Sequence, residues 1–222
     1  MEIKKLNRAE AFRYMGHKGG KINENLLKLT EQCEQELLKA IKPRYIYKIF
    51  NIEQSDEYIQ LSNTTLTLKG KDISAHLQNC DRCILLCATL SSDTDKLIRT
   101  HEAEGMEKAL ITDSLASAAV EQVCEAAETE IQSALPDNFF TWRFSPGYGD
   151  FPLEIQGEFL DTLNAPKRIG VTVTDSLILI PRKSVTAVIG VSKTEIPKGQ
   201  RSCGTCNMKD TCPYRKNYGH CN

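Results

Sequence analysis

The sequence predicts an α+β fold, and three observations carry that expectation. Two long stretches repeat apolar residues with a helical period, at 23–43 and 106–136, while several shorter runs alternate or are rich in β-branched residues. Helices and strands are mixed without a regular βαβ alternation, which argues against a doubly wound sheet. At 222 residues, with 41% hydrophobic and 26% charged residues, the chain has enough apolar surface to bury a core without cross-links.

The elements follow in order. "NENLLKLTEQCEQELLKAIKP" places Leu26, Leu27, Cys33, Leu37, Leu38 and Ile41 near one helical face and stops at Pro43. "RYIYKIFNIE" alternates and reads as a strand, and "NTTLTLKGKD" as a second, short one. "DISAHLQN" reads as a short helix with Asp72 as a candidate cap. The apolar run "CILLCATL" is expected to be a buried central strand. "SSDTDKLIRTHEAEG" is expected to be a helix capped by Ser91 or Ser92.

In "MEKALITDSLASAAVEQVCEAAETEIQSAL", Ile111, Leu115, Ala118, Ala119, Val123, Ala126 and Ile131 form an apolar stripe that ends before Pro136. Asp113, Ser117, Glu121 and Cys124 fall on another face at spacings of three and four, a polar ladder that also has the pattern of a solvated face. "PLEIQGEFLDTLNA" predicts a helix with Pro152 in its first turn. "RIGVTVT", "SLILIP" and "SVTAVIGVS", interrupted by "PRKS", suggest a terminal hairpin. One domain is expected over 1–194, followed by a cysteine-rich tail over 195–222.

A formal net charge of -1 gives no reason to expect nucleic-acid partners, and no apolar run approaches the ~20 residues that span a bilayer. The N-terminus has no apolar signal core, so a cytoplasmic location is expected. The nine cysteines are the unusual total. Cys33 and Cys124 sit alone in helical patterns, and Cys83 and Cys87 alternate within an apolar strand, so core packing is expected for these four. Cys203, Cys206, Cys212 and Cys221 crowd the tail among small and polar spacers, which suits zinc or an iron–sulfur cluster. His220 is an alternative ligand. His17, His76 and His101 are single and are expected to be structural or exposed.

"WRFSPGYGDF" is the stretch with the most chemistry. Pro146-Gly147 marks a turn, and Gly149 adds a second flexible point. Arg143 offers a forked contact to a carboxylate, and Tyr148 offers a ring and a hydroxyl. A small zwitterion bearing a heteroaromatic ring would use all of these groups; an ordinary helix-to-helix turn would also account for them.

"WRFSPGYGDFPLEIQGEFLDTL", followed by "IGVTVTDSLILIPRKSVTAVIGVS", resembles the activation domain of cobalamin-dependent methionine synthase, in its short, free-standing form. The long helix and the preceding "CILLCATLSSDTDKLIR" fit the same resemblance, which spans most of 7–194. It implies a C-shaped domain with long central helices and a bent, mainly antiparallel sheet. It implies S-adenosylmethionine as ligand, with Arg143 on its carboxylate, the backbone around Ser145 and Gly147 on its adenosine, and Tyr148 packed beside it. Asp113, Ser117 and Glu121 would line the same cleft. The last strand reads "AVIG" where the synthases carry an aromatic patch.

The role implied is a reactivation subunit supporting reductive remethylation of cobalamin, which is held by a partner, a methionine synthase lacking its own activation domain. Orientation of the ligand's methyl, not acid–base catalysis, would be the protein's contribution. The alternatives are a metal-binding adaptor with a degenerate ligand site and an activator of another corrinoid methyltransferase.

Overall fold

The computed structural model describes residues 1–17 and 19–196. Cys203, Cys206, Cys212, His220 and Cys221 lie outside the described residues.

The 41–43 segment turns a helix into a strand. Helix α2 (Glu24–Ala40) starts at Asn23, whose side chain accepts from the Asn25 amide, and ends as Ile41 turns extended ahead of Pro43. Strand β1 (Arg44–Gln54) follows at once. It pairs antiparallel along its length with β4 (Arg82–Thr89) and at its far end with β2 (Ile59–Leu61), which in turn pairs with β3 (Thr67–Leu68). On the other side β4 pairs with β8 (Ser184–Ser192), and β5 (Phe139–Phe140) closes that edge, giving the order β3-β2-β1-β4-β8-β5. The sheet is antiparallel and curled into a half-barrel.

As expected, β4 is central and buried from Cys83 to Thr89. The period of two sends Cys83, Leu85 and Cys87 to one face and Ile84, Leu86 and Ala88 to the other. The first face packs against α3 (Lys71–Leu77), α6 (Gln156–Leu163) and α7 (Ala165–Ile169), with Phe151, Phe159 and Leu160 at its centre. The second packs against α5 (Met106–Ala134). Helices α1 (Arg8–Tyr14), α2 and α4 (Ser92–Glu104) cover the far side of α5. Being covered on two sides explains why α5 buries Ala109, Ala116, Ala118, Ala119 and Ala127: small side chains let both layers approach the helix closely.

Three local expectations are corrected. The hairpin is formed by β6 (Thr172–Val173) and β7 (Leu179–Ile180) alone, whereas β8 leaves it to join the main sheet beside β4. The run "RIGVTVT" is divided, because Arg168 and Ile169 end α7 and Gly170 turns the chain at a positive φ of 74°. Asp72 is not the cap of α3: Gly70 holds that position without a side chain, and the carboxylate serving this helix end comes from Asp150. Ser91 does stand at the cap position of α4, but its side chain makes no capping bond.

Candidate functional site

Beyond β5 the chain continues along the edge of β8. The Thr141 amide donates to Gly190 O at 3.0 Å, and Phe144 and Val188 exchange two bonds of 2.9 and 2.8 Å. Between those contacts the edge segment takes three steps where β8 takes two, which is a bulge. The bulge sets the aim of Arg143. Phe144 stays on the α3–α6 face of the sheet, stacked near His76 and Phe151, while Arg143 turns to the opposite face and meets α5.

On α5 the guanidinium finds two carboxylates. One Nη of Arg143 lies 2.9 Å from Glu121 Oε2, and Nε lies 3.3 Å from Glu128 Oε1. The Arg143 side chain is only 10% exposed, against 28% for Glu121 and 25% for Glu128. Burial alone would weaken the guanidinium's hold on its proton. Cys124 and the two carboxylates outweigh that penalty and raise its pKa. Burial likewise pushes the Cys124 thiol up to about 12, so it is uncharged at neutral pH.

Two turns toward the N-terminus of α5, a second cation meets the same ladder. Lys183 Nζ sits 2.9 Å from Asp113 Oδ1 and 2.9 Å from Ser117 Oγ. Lys183 belongs to the turn between β7 and β8, which is pinned by the Arg182 amide donating to Asp95 Oδ2 at 2.9 Å. The residues 113, 117, 121, 124 and 128 thus form one line along α5, with Lys183 facing one end and Arg143 the other. Asp113 and Glu121 are separated by about 12 Å along the axis, at ~1.5 Å per residue. From α1, Tyr14 stands near Glu121; burial first, and then Glu121 and Glu10, push its phenol up to about 12.

The "SPGYGD" loop has a conformation of its own. Gly147 and Gly149 take positive φ values of 89° and 56°, and a Cβ on Gly149 would collide with the Asp72 carboxylate. Asp150 accepts from the amides of Lys71 at 2.7 Å and Asp72 at 2.9 Å, and Asp72 accepts in return from the Asp150 amide at 3.1 Å. These bonds hold the Asp150 carboxyl below the usual carboxylate range. The amides of Gly147 and Tyr148 are used inside the loop, bonded to Phe151 O and Ser145 O. What the loop offers a ligand is therefore the Ser145 side chain, exposed glycine backbone and the Tyr148 ring, which is 57% exposed and lies edge-on to Phe144 at 5.9 Å.

The structure thus brings Asp113 and Ser117 to Lys183, and Glu121 to Arg143, while Ser145, Gly147 and Tyr148 stay together on a loop tied to α3. Sequence reasoning missed Lys183, Glu128 and Tyr14. Only Glu128 had a signal, since it continues the ladder one step of four beyond Cys124. A hollow of about 520 Å³ at Lys5–Ala9 contains none of these residues. Among the described residues no group of three or more His, Cys, Asp and Glu side chains can hold a metal ion. Cys33, Cys80, Cys83, Cys87 and Cys124 are buried free thiols. His76 and His101 are buried on Thr141 and on Thr112 and Glu36.

Comparison with solved structures decides the architecture. The crystal structure of the MetH reactivation domain bound to AdoHcy superposes with a TM-score of 0.69, covering 86% of this chain and 75% of that chain at 14% sequence identity. The fold is that of the MetH reactivation domain. No family model matches the sequence, and no curated protein matches it. Among the described residues no helix is long and apolar enough to cross a membrane.

Proposed function

We propose that this protein binds S-adenosylmethionine between α5 and the 143–148 loop and acts as the reactivation partner of a cobalamin-holding methionine synthase that lacks an activation domain of its own. The observation supporting this most directly is the fold shared with an AdoHcy-bound reactivation domain over 86% of the chain. The side chains along α5 and the two cations facing them fit such a ligand. Carboxylates at Asp113, Glu121 and Glu128 suit its cationic groups, and Arg143 and Lys183 suit its carboxylate. Ser145, the Gly147 backbone and the exposed Tyr148 ring would face the nucleoside.

Cobalamin held by the partner would supply a reduced metal able to accept a methyl group, and the S–CH3 bond of the sulfonium is the one that would yield it, leaving a neutral thioether. The role of this chain is to hold the sulfonium so that its methyl faces the partner. We further propose that Cys203, Cys206, Cys212 and Cys221 hold an iron–sulfur cluster or zinc. A cluster would provide the electron that remethylation consumes. A cytoplasmic location follows from this reading.

Calorimetric titration with S-adenosylmethionine tests the site, with binding expected in the micromolar range and lost in Arg143→Ala. Absence of heat with the wild-type protein favours the alternative, an adaptor whose ligand site has decayed. Pull-down with a cobalamin-loaded synthase tests the partner, another corrinoid protein being the competing outcome. Visible absorbance and iron content after oxygen-free purification test the tail, and a colourless, zinc-loaded protein rejects the redox role.

A further inference from the structure

The two cations that face α5 are held differently. The Arg143 guanidinium lies between Glu121 and Glu128 and also meets Cys124. It ties the bulge to α5, so a ligand carboxylate arriving there would have to displace a carboxylate of the fold. Lys183 Nζ has three hydrogens to donate. Asp113 Oδ1 takes one at 2.9 Å and Ser117 Oγ takes a second at 2.9 Å, while the Ser117 hydroxyl donates onward to Asp113 O at 3.0 Å. The third hydrogen has no acceptor among the described residues. Asp113 is 41% exposed, so this pair borders solvent. Asp95 fixes the turn that presents the lysine, through its bond to the Arg182 amide.

The spacing along β8 agrees. Tyr148 lies edge-on to Phe144, and Phe144 is bridged to Val188. Lys183 continues the ladder with β4 through Leu90 and stands five residues before Val188, ~17 Å away at ~3.3 Å per residue. Arg143, in contrast, directly precedes Phe144 in the chain. S-adenosylmethionine carries its purine and its carboxylate at opposite ends. With the purine against Tyr148 and the chain running along α5 from Glu121 toward Asp113, the carboxylate reaches the Lys183 end and the sulfonium passes between the acidic residues.

We infer, resting on the proposed S-adenosylmethionine site, that Lys183 receives the ligand's carboxylate and that Arg143 is a positioning residue, a strut that shapes the site without touching the ligand. The resemblance to the synthases gives the carboxylate to Arg143; the third donor of Lys183 and the length of the ligand give it to the lysine. A charge-assisted hydrogen bond at a site bordered by solvent is expected to strengthen binding about tenfold.

The test is calorimetric titration with S-adenosylmethionine and with its decarboxylated analogue, which lacks only the carboxylate. Wild-type protein should prefer the first about tenfold. Lys183→Met should weaken S-adenosylmethionine by about that factor and leave the analogue unchanged or tighter, so the preference disappears. Arg143→Ala should weaken both ligands alike. A preference that survives in Lys183→Met, equal wild-type affinities, or an Arg143→Ala variant that loses only the preference would overturn the inference while leaving the site in place. If neither ligand binds the wild type, the site itself is refuted, and the role of Lys183 with it. Coupling S-adenosylmethionine to wild-type protein with a carbodiimide decides the matter even if the variants fold poorly: the amide should form at Lys183, and capture at other lysines alone would overturn the assignment.

Discussion

Raising the pH should unfold this protein through its buried thiols. Cys83, Cys87 and Cys124 are fully buried, and desolvation pushes all three thiols upward, to about 12 for Cys124 and higher still for the two on β4. An unfolded thiol titrates near ~8.5. Each of these groups therefore stabilises the fold fully below that value and loses its contribution as pH rises toward the folded pKa, because only the unfolded chain releases the proton. One unit above the unfolded pKa the loss is about 1.4 kcal/mol per thiol, or ~4 kcal/mol for three, a large share of a typical domain's ~5–15 kcal/mol. Urea melts at pH 8, 9 and 10 would measure it, comparing wild type with Cys83→Ala/Cys87→Ala/Cys124→Ala. The variant starts less stable, because core volume is lost, but should fall less steeply with pH. Parallel slopes would refute the reasoning and assign alkaline unfolding to other groups.

Arg143→Met should cost about 1–3 kcal/mol, below the ~3–5 kcal/mol of a fully buried pair because both carboxylates keep some solvent. Adding Glu121→Gln and Glu128→Gln should recover most of it in thermal melts; no recovery would mean that the arginine stem, not its charge, stabilises the fold. Gly190→Ala should lower stability by about 1–3 kcal/mol, because a Cβ there would collide with Cys80 Sγ and come within 2.9 Å of Leu77 and 3.0 Å of Thr141. An unchanged melting temperature would show that α3 can shift at little cost. Asp150→Ala should accelerate hydrogen exchange at the amides of Lys71 and Asp72 and weaken S-adenosylmethionine binding through the loosened loop. Exchange at wild-type rates would show that the cap is redundant.

The elements most readable in the sequence are those whose pattern matches a single burial geometry. Strand β4 reads as central because both of its faces are covered, so its apolar run is continuous. Helix α2 shows a stripe because only one side is covered, although Leu27, expected on that face, is exposed while Thr30 and Glu34 are buried. Helix α5 was legible as a helix, but its stripe understated its burial, since Thr112, Ser114 and Cys124 are also inside. Helices α1 and α7 are too short for a period to emerge. Lys183 illustrates what a pattern cannot convey: it is an ordinary lysine in a turn until the fold sets that turn across from Asp113. The cap supplied by Asp150 is equally hidden, because Asp150 and α3 are 78 residues apart in sequence at the Asp72 contact.

The same edge of β8 leaves no room for a side chain at Gly190, the last residue of "AVIG". Gly190 lies where the end of α3, the Cys80 thiol and the Thr141 side chain converge, and its amide donates to Thr141 Oγ1 at 2.7 Å. That hydroxyl is also bonded to the buried His76 at 2.7 Å, so the space a ring would need is filled by the contact that anchors the bulge. The aim of Arg143 toward α5 depends on that bulge. A large side chain at Gly190 would displace Thr141 from this contact, and with it the bulge that aims Arg143 toward α5. The proposed ligand site is then weighted toward the ion pairs on α5, with Tyr148 as the ring on the 145–150 loop. A site built this way trades contact area for charge, so its affinity should fall with ionic strength more steeply than that of a site lined by stacked rings.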